Sequence, residues 1–254
     1  MRMLPSALLV CLVVLTACGG RGNGDTASSG QPFSGNWQMV LQLSPTSSKT
    51  ESGFILQSGH SLTGKFVVAG QTVCAGLGSA QGEVSGSNVA ITVNQIGQTV
   101  GLTGTTVSDG TSISGNYSIL ASGCGVSQIG TWTADRVKPL NGSFQGTFTS
   151  IQNNGLVYEV AATVTQGPNT GSSTSDLSGT ITSTNASCFS SLSISGLISG
   201  TSVVFNLVTL DGTAVGQYRA TATTDATTLT GNYQFNAQTH VCSGDFGTAA
   251  LTLQ

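Results

Sequence analysis

Ser112-Ile113-Ser114-Gly115-Asn116-Tyr117 returns, with like-for-like changes, as Thr228-Leu229-Thr230-Gly231-Asn232-Tyr233. In both copies apolar and polar residues alternate, which is the period of a half-buried β-strand. A glycine stands two residues before an aromatic in each. The echo extends outward in order. Phe33-Ser34-Gly35-Asn36-Trp37-Gln38 lines up with Leu140-Asn141-Gly142-Ser143-Phe144-Gln145, and Leu62-Thr63-Gly64 with Leu177-Ser178-Gly179. Cys74 falls in frame with Cys188, and Cys124 with Cys242. Ordered landmarks in one frame mark a duplicated chain. The second copy is longer, mostly through a loop around Gly167–Ser175. The modules span 32–136 and 140–254, joined by Lys138-Pro139.

Within each module the period of two persists. Trp37, Met39, Leu41 and Leu43 alternate with Gln38, Val40 and Gln42; Tyr158, Val160, Ala162 and Val164 do the same. Gly/Ser/Asn/Asp clusters separate such runs. The spacing predicts strands near 33–43, 51–58, 62–69, 75–85, 88–96, 98–107, 112–120 and 128–136. In the second module it predicts 140–150, 157–166, 177–183, 189–199, 201–210, 214–224, 227–237 and 244–253. Eight short sequential strands close naturally into an up-and-down barrel without edges. The expected fold is all-β, two tandem eight-stranded antiparallel up-and-down barrels, with two β-sandwiches as the alternative. Gly35/Trp37, Gly115/Tyr117 and Gly231/Tyr233 suit the small/large alternation of a narrow barrel.

The 254 residues carry seven Lys+Arg and ten Asp+Glu, for a net charge of −3. Cations spread from Arg2 to Arg219 form no basic stripe, which excludes nucleic acid as a partner. A hydrophobic fraction of 38% with 7% charged residues is unlike a disordered chain. A sixteen-stranded porin would need two aromatic girdles, and aromatics make up only 6%.

Residues 1–17 read as a signal peptide: Arg2, then an apolar run from Ala7 to Leu15 too short to span a bilayer. The run ends in Leu15-Thr16-Ala17-Cys18, which resembles the bacterial lipobox. That resemblance implies cleavage before Cys18, acylation of Cys18 and a membrane partner through the lipid. Gly19 in place of an Asp points to the outer membrane. Residues 18–31 are then a lipidated Cys and a Gly/Ser-rich flexible tether. With Cys11 and Cys18 set aside, Cys74, Cys124, Cys188 and Cys242 remain, an even number in an exported chain and hence expected disulfides. In an up-and-down barrel all four lie in loops at one end, so Cys74–Cys124 and Cys188–Cys242 are the economical pairs. Each would close about fifty residues, worth roughly 4 kcal/mol. A loop folded across that mouth would lid it. The other mouth is expected open, with His60, Asp109, Asp176 and Asp225 in its loops.

Gly35-Asn36-Trp37 resembles the G-x-W that opens lipocalin-like (calycin) barrels, and Gly130-Thr131-Trp132 is similar to a hairpin of avidin-type barrels. The calycin resemblance implies a Trp at the barrel base covered by a basic residue late in the module, for which Arg136 is placed. It also implies a small apolar molecule in the open mouth. The second module departs from this pattern, with Phe144 for the Trp and no basic residue after Asp245.

No catalytic constellation is visible. His60, in the turn Gly59-His60-Ser61, and His240, in a polar loop, occupy unmatched positions and read as solvated. No Gly-x-Ser-x-Gly elbow occurs. Glu51, Glu83, Asp109, Asp135, Glu159, Asp176, Asp211, Asp225 and Asp245 are scattered singly, whereas a glycosidase pairs two carboxyls. Asp211-Gly212 is a hairpin turn by composition. Trp37, Trp132, Tyr117 and Tyr233 read as core rather than as a sugar platform, and Thr221–Thr230 as a low-charge strand pair. No metal site and no cofactor are expected. The leading expectation is a non-catalytic cell-envelope protein binding a small apolar ligand or glycan at the open mouths. The alternative is a structural or adhesive surface lipoprotein with solidly filled barrels. A continuous apolar cavity above about 300 Å³ separates the two.

Overall fold

The computed structural model describes residues 32–68, 76–121, 123, 126–186, 189–209, 215–236 and 244–254. Sixteen strands follow one another among them. The first eight are β1 (Gly35–Ser44), β2 (Ser47–Ser58), β3 (Ser61–Val68), β4 (Gly76–Ser85), β5 (Asn88–Gln95), β6 (Gln98–Thr106), β7 (Ser112–Ala121) and β8 (Gln128–Val137). The second set is β9 (Gly142–Ser150), β10 (Val157–Gln166), β11 (Ser175–Ser183), β12 (Ser191–Ser199), β13 (Ser202–Thr209), β14 (Val215–Ala222), β15 (Thr228–Phe235) and β16 (Phe246–Leu253). Each set closes into an antiparallel up-and-down barrel. The closing seams run from Asn36↔Val137 to Gln42↔Thr131 and from Ser150↔Gly247 to Phe144↔Leu253. Two sandwiches are thereby excluded. Among the described residues no helix is long and apolar enough to cross a membrane.

Alternation sets which side chains face inward, and narrowness sets their sizes. Gly115 and Gly231 face inward at equivalent places, and each lets a neighbouring backbone pass where a side chain would stand. A Cβ on Gly115 would lie 2.0 Å from the Thr103 carbonyl oxygen, and one on Gly231 would lie 1.9 Å from that of Arg219. This close approach coils the strands into a tight tube. The large residue that fills the space differs between modules. In the first, Trp132 lies in register with Gly115 and its Nε1 donates to the Thr103 carbonyl at 3.0 Å. In the second, the equivalent of Trp132 is Ala249, and Tyr218 replaces Leu102. The Tyr218 hydroxyl donates to the Leu229 carbonyl at 3.2 Å. One large ring is exchanged for another two strands away, and each keeps its polar tip bonded.

The barrels also touch. The β12–β13 turn packs on the outer wall of β1 and β2. The Asn36 side chain meets both groups of Gly200, donating to its carbonyl at 2.7 Å and accepting from its N–H at 2.7 Å. Gln38 Oε1 accepts from the Thr201 N–H at 2.9 Å, and the Ser52 and Ser199 hydroxyls lie 3.0 Å apart. The Ser199 hydroxyl in turn donates to Ser173, which belongs to the extra loop of the second module. The insertion that breaks the repeat thus braces the contact.

Gly231→Ala is expected to cost at least about 3 kcal/mol, because the clash is with backbone that cannot repack. Urea unfolding of this variant against the parent measures it, with exposed Thr230→Ala as the control near zero.

Candidate functional site

The mouths expected to be open lie at the end where β1 and β9 begin. Both are plugged. In the first barrel Phe33, 2% exposed, stacks over Trp37 with ring centroids 6.4 Å apart. Trp37 Nε1 donates to the Phe33 carbonyl at 2.9 Å. Gln57 clasps the plug from β2: its Oε1 accepts the Phe33 N–H at 3.1 Å, and its own N–H donates to the Ser34 hydroxyl at 2.9 Å. Arg136, in register with Trp37, donates to the Pro32 carbonyl at 2.8 Å. Arg136 therefore fastens the plug over the Trp.

The second barrel repeats the clasp with different side chains. Leu140 is the plug, its N–H donates to Gln166 Oε1 at 2.9 Å, and the Gln166 N–H donates to Asn141 Oδ1 at 2.7 Å. Where the first barrel has Arg136, the second has Leu253, lying against Gly142. The backbone N–H of each plug residue is thus paired by a Gln side chain, which offsets the cost of burying it.

Below the plugs the described inward side chains are closely packed. Trp37, Met39, Leu41, Phe66 and Val100 in the first barrel have no exposed surface, and neither do Phe144, Phe148, Leu192, Leu207 and Tyr218 in the second. A side chain without exposed surface borders neither solvent nor an internal void that a water would enter. In the second barrel the rings contact one another directly. Phe148 lies 4.7 Å from Tyr233 and 5.6 Å from Tyr218, and Phe205 lies 6.1 Å from Tyr218.

Several of the candidate carboxylates stand in turns or on the surface. Asp109 accepts from the N–H and hydroxyl of Thr111 and closes the β6–β7 turn; these bonds hold its pKa below the ordinary value. Asp225 does the same at the equivalent turn. Hydroxyls of Thr223 and Thr227 and the Thr227 N–H bring its pKa down to about 2. Asp176 stands on β11, exposed. His60 Nδ1 lies 3.0 Å from the Val84 carbonyl and braces the β4–β5 turn.

Two carboxylates sit inside, one in each barrel. Asp245, 2% exposed, accepts from the Ser150 hydroxyl at 2.5 Å and the Tyr233 hydroxyl at 3.1 Å. Burial and then this carboxylate raise the pKa of both Tyr233 and Tyr158. Burial alone raises that of Tyr218. Tyr233 and Tyr158 are thereby held neutral beside the carboxylate, in a buried network with the Ser150 hydroxyl. Glu51 faces inward on β2 with Lys49 Nζ at 3.4 Å; its counterpart in the second barrel is Val160. The alternation Glu51, Gly53, Ile55, Gln57 is the signal that could have placed Glu51 inside, whereas nothing in the sequence joined Asp245 to Ser150.

Concavities lie on the outer walls. One of about 520 Å³ spans β4 to β7, lined by Glu83, Asn88, Thr103, Ser114 and Asn116. Another of about 430 Å³ spans β9 to β11, lined by Gln145, Thr147, Glu159, Ala161 and Thr182. Among the described residues no group of three or more His, Cys, Asp or Glu is placed to hold a metal ion. Cys18, Cys74, Cys124, Cys188, Cys242, Asp211 and His240 lie outside the described residues.

The chain matches no protein-family model and no curated protein. Among solved structures, kievitone hydratase from Nectria haematococca is similar over 87% of this chain and 89% of that chain, at 9% identity and a TM-score of 0.25. At that score the similarity carries no argument.

Phe33→Ala is expected to destabilise the first barrel by about 3–5 kcal/mol through the cavity left beside Trp37. A red-shifted Trp fluorescence in the native state and a lower unfolding midpoint check it. Raised tyrosine pKa values have a definite sign. The stabilisation is complete below the ordinary tyrosine value of 10.0 and is lost as pH climbs beyond it. Alkaline titration should therefore show tyrosinate absorbance appearing together with loss of the fold, and Tyr233→Phe should delay that loss.

Proposed function

We propose that the chain is a lipid-anchored structural or adhesive protein of the cell envelope, non-catalytic, whose barrels serve as rigid bodies presenting their outer walls. The observation that supports this reading is the pair of plugged ends at Phe33 and Leu140, with fully buried side chains beneath them where a small apolar ligand would enter. The turn and core roles of Asp109, Asp225, Asp245 and His60 support a non-enzymatic reading. Anchoring rests on the Leu15-Thr16-Ala17-Cys18 lipobox, with the outer membrane as the site of residence. Two disulfides, Cys74–Cys124 and Cys188–Cys242, complete the proposal. A second reading, glycan binding, moves from the mouths to the outer groove holding Glu83, Asn88 and Asn116. Its lining of carboxamides, hydroxyls and one carboxylate with no cation suits neutral polyols.

Native mass spectrometry of the mature chain, extracted from its own envelope in detergent, tests the reading. The expected species is the acylated protein alone, lighter than the reduced chain by the hydrogens of two disulfides. A co-purifying small molecule that is lost on unfolding would restore the ligand-binding reading.

A further inference from the structure

The contact between the two barrels uses one surface from each, and duplication has left a second copy of both surfaces uncovered. The docking element of the second barrel is the two-residue turn in Ser199-Gly200-Thr201-Ser202. Its equivalent in the first barrel is Ser85-Gly86-Ser87-Asn88, fixed by register: Ser199 pairs with Ser202 as Ser85 pairs with Asn88. Gly200 and Gly86 share the left-handed conformation, at φ +56° and +60°. The turns are held to the next hairpin alike, by Ala222 N–H to the Thr201 carbonyl and Thr106 N–H to the Ser87 carbonyl, at 2.8 and 2.9 Å. Their surroundings differ. A Cβ on Gly200 would lie 2.1 Å from Gln38 Oε1, whereas one on Gly86 would meet nothing within 4 Å.

The receiving wall is duplicated in the same way. Gln38 pairs with Ser52 across β1 and β2; Gln145 pairs with Ala161 across β9 and β10. In the first barrel this wall is filled by the turn. In the second, Ser143, Gln145 and Ala161 are exposed, and Gln145 and Ala161 line the groove of about 430 Å³. The chain thus carries an unused turn on its first barrel and an unused wall on its second.

We propose that this chain associates with further copies of itself head to tail. The Ser85–Ser87 turn of one copy seats on the β9–β10 wall of the next and repeats the contact made within the chain. Gln145 Oε1 takes the N–H and hydroxyl of Ser87, as Gln38 Oε1 takes those of Thr201. The interface is heterologous, so it leaves a free turn at one end and a free wall at the other. Repetition then gives a filament, or a ring if the rotation closes. Affinity between copies is lower than within the chain, for three reasons. Ser143 replaces the Asn36 carboxamide, Ala161 replaces Ser52, and the linker supplies an effective concentration of order mM that separate copies lack. Glu83 beside the turn and Glu159 in the groove also repel, until salt screens them.

The test uses the full chain in non-ionic detergent, at up to about 1 mM and in about 1 M NaCl, where the screening length is near 3 Å. Sedimentation velocity reads the mass. Ser87→Glu spoils only the turn and Ala161→Glu only the wall, since either would bury a carboxylate in the contact. Both sites are exposed, and unchanged thermal melts confirm folding. The parent should form species that grow with concentration, and each variant alone should stay monomeric. A one-to-one mixture of the variants should stop at dimers, because one intact wall meets one intact turn. A monomeric parent, a variant that still assembles, or a mixture that stays monomeric overturns the proposal.

Discussion

The circumference of eight tightly coiled strands governs everything else in this molecule. Once the tube closes, its interior holds a fixed volume, and every inward side chain competes for it. Inward glycines such as Gly115 and Gly231 allow the coiling and then oblige a bulky neighbour to fill the space they leave. The two modules meet that demand with different rings at different positions. Trp132 with Leu102 in the first becomes Ala249 with Tyr218 in the second, and Val100 with Ile119 becomes Gly216 with Phe235. Both copies bury large rings in their interiors although the residues that supply them differ, as expected where volume must be filled.

A tube this full has a consequence for its ends. Closed walls have no hydrogen-bonding edges, but the first and last turns of each strand still carry backbone groups near an apolar plug. Gln57 and Gln166 serve both needs, accepting from the plug residue and donating to the residue after it. A carboxamide is suited to this because one side chain accepts without carrying charge into a nearly dry site. The same logic recurs at Asn36, which satisfies both groups of the Gly200 peptide. The scarcity of charged residues fits a protein whose polar contacts at the plugs and between the barrels are made largely by neutral amides and hydroxyls, with the buried carboxylates Glu51 and Asp245 as exceptions.

Strands and duplication were legible because both are periodic signals carried by every residue in a run. The predicted strand over 51–58 was short at its start, since Lys49 and Thr50 do not look like strand residues; register shows β2 from Ser47, with Lys49 paired to Leu41. The plugs were not legible. Phe33 and Leu140 read as first strand residues, and only tertiary contact shows that they turn across the mouth instead. The interbarrel contact was equally hidden, because Asn36 and Gln38 are ordinary outward-facing residues in sequence. Alternation says which way a side chain faces. It carries no information about what comes to meet it.

Duplication explains why the surface asymmetry is informative. In a repeat protein each unit presents one face to the unit before and another to the unit after, and stability is a sum over such contacts. Two units make one contact and leave two terminal faces, which soluble repeat proteins remodel as caps. Here the remodelling is partial. The second wall has lost Asn36 and Ser52 in favour of Ser143 and Ala161 and gained Glu159, yet it keeps the acceptor Gln145. The first turn keeps its glycine in the left-handed conformation and its serine donors. Selection for a sealed two-unit molecule would favour filling the groove and altering the turn. Faces weakened this far, without being abolished, suit a contact that forms only where copies are held at high local concentration.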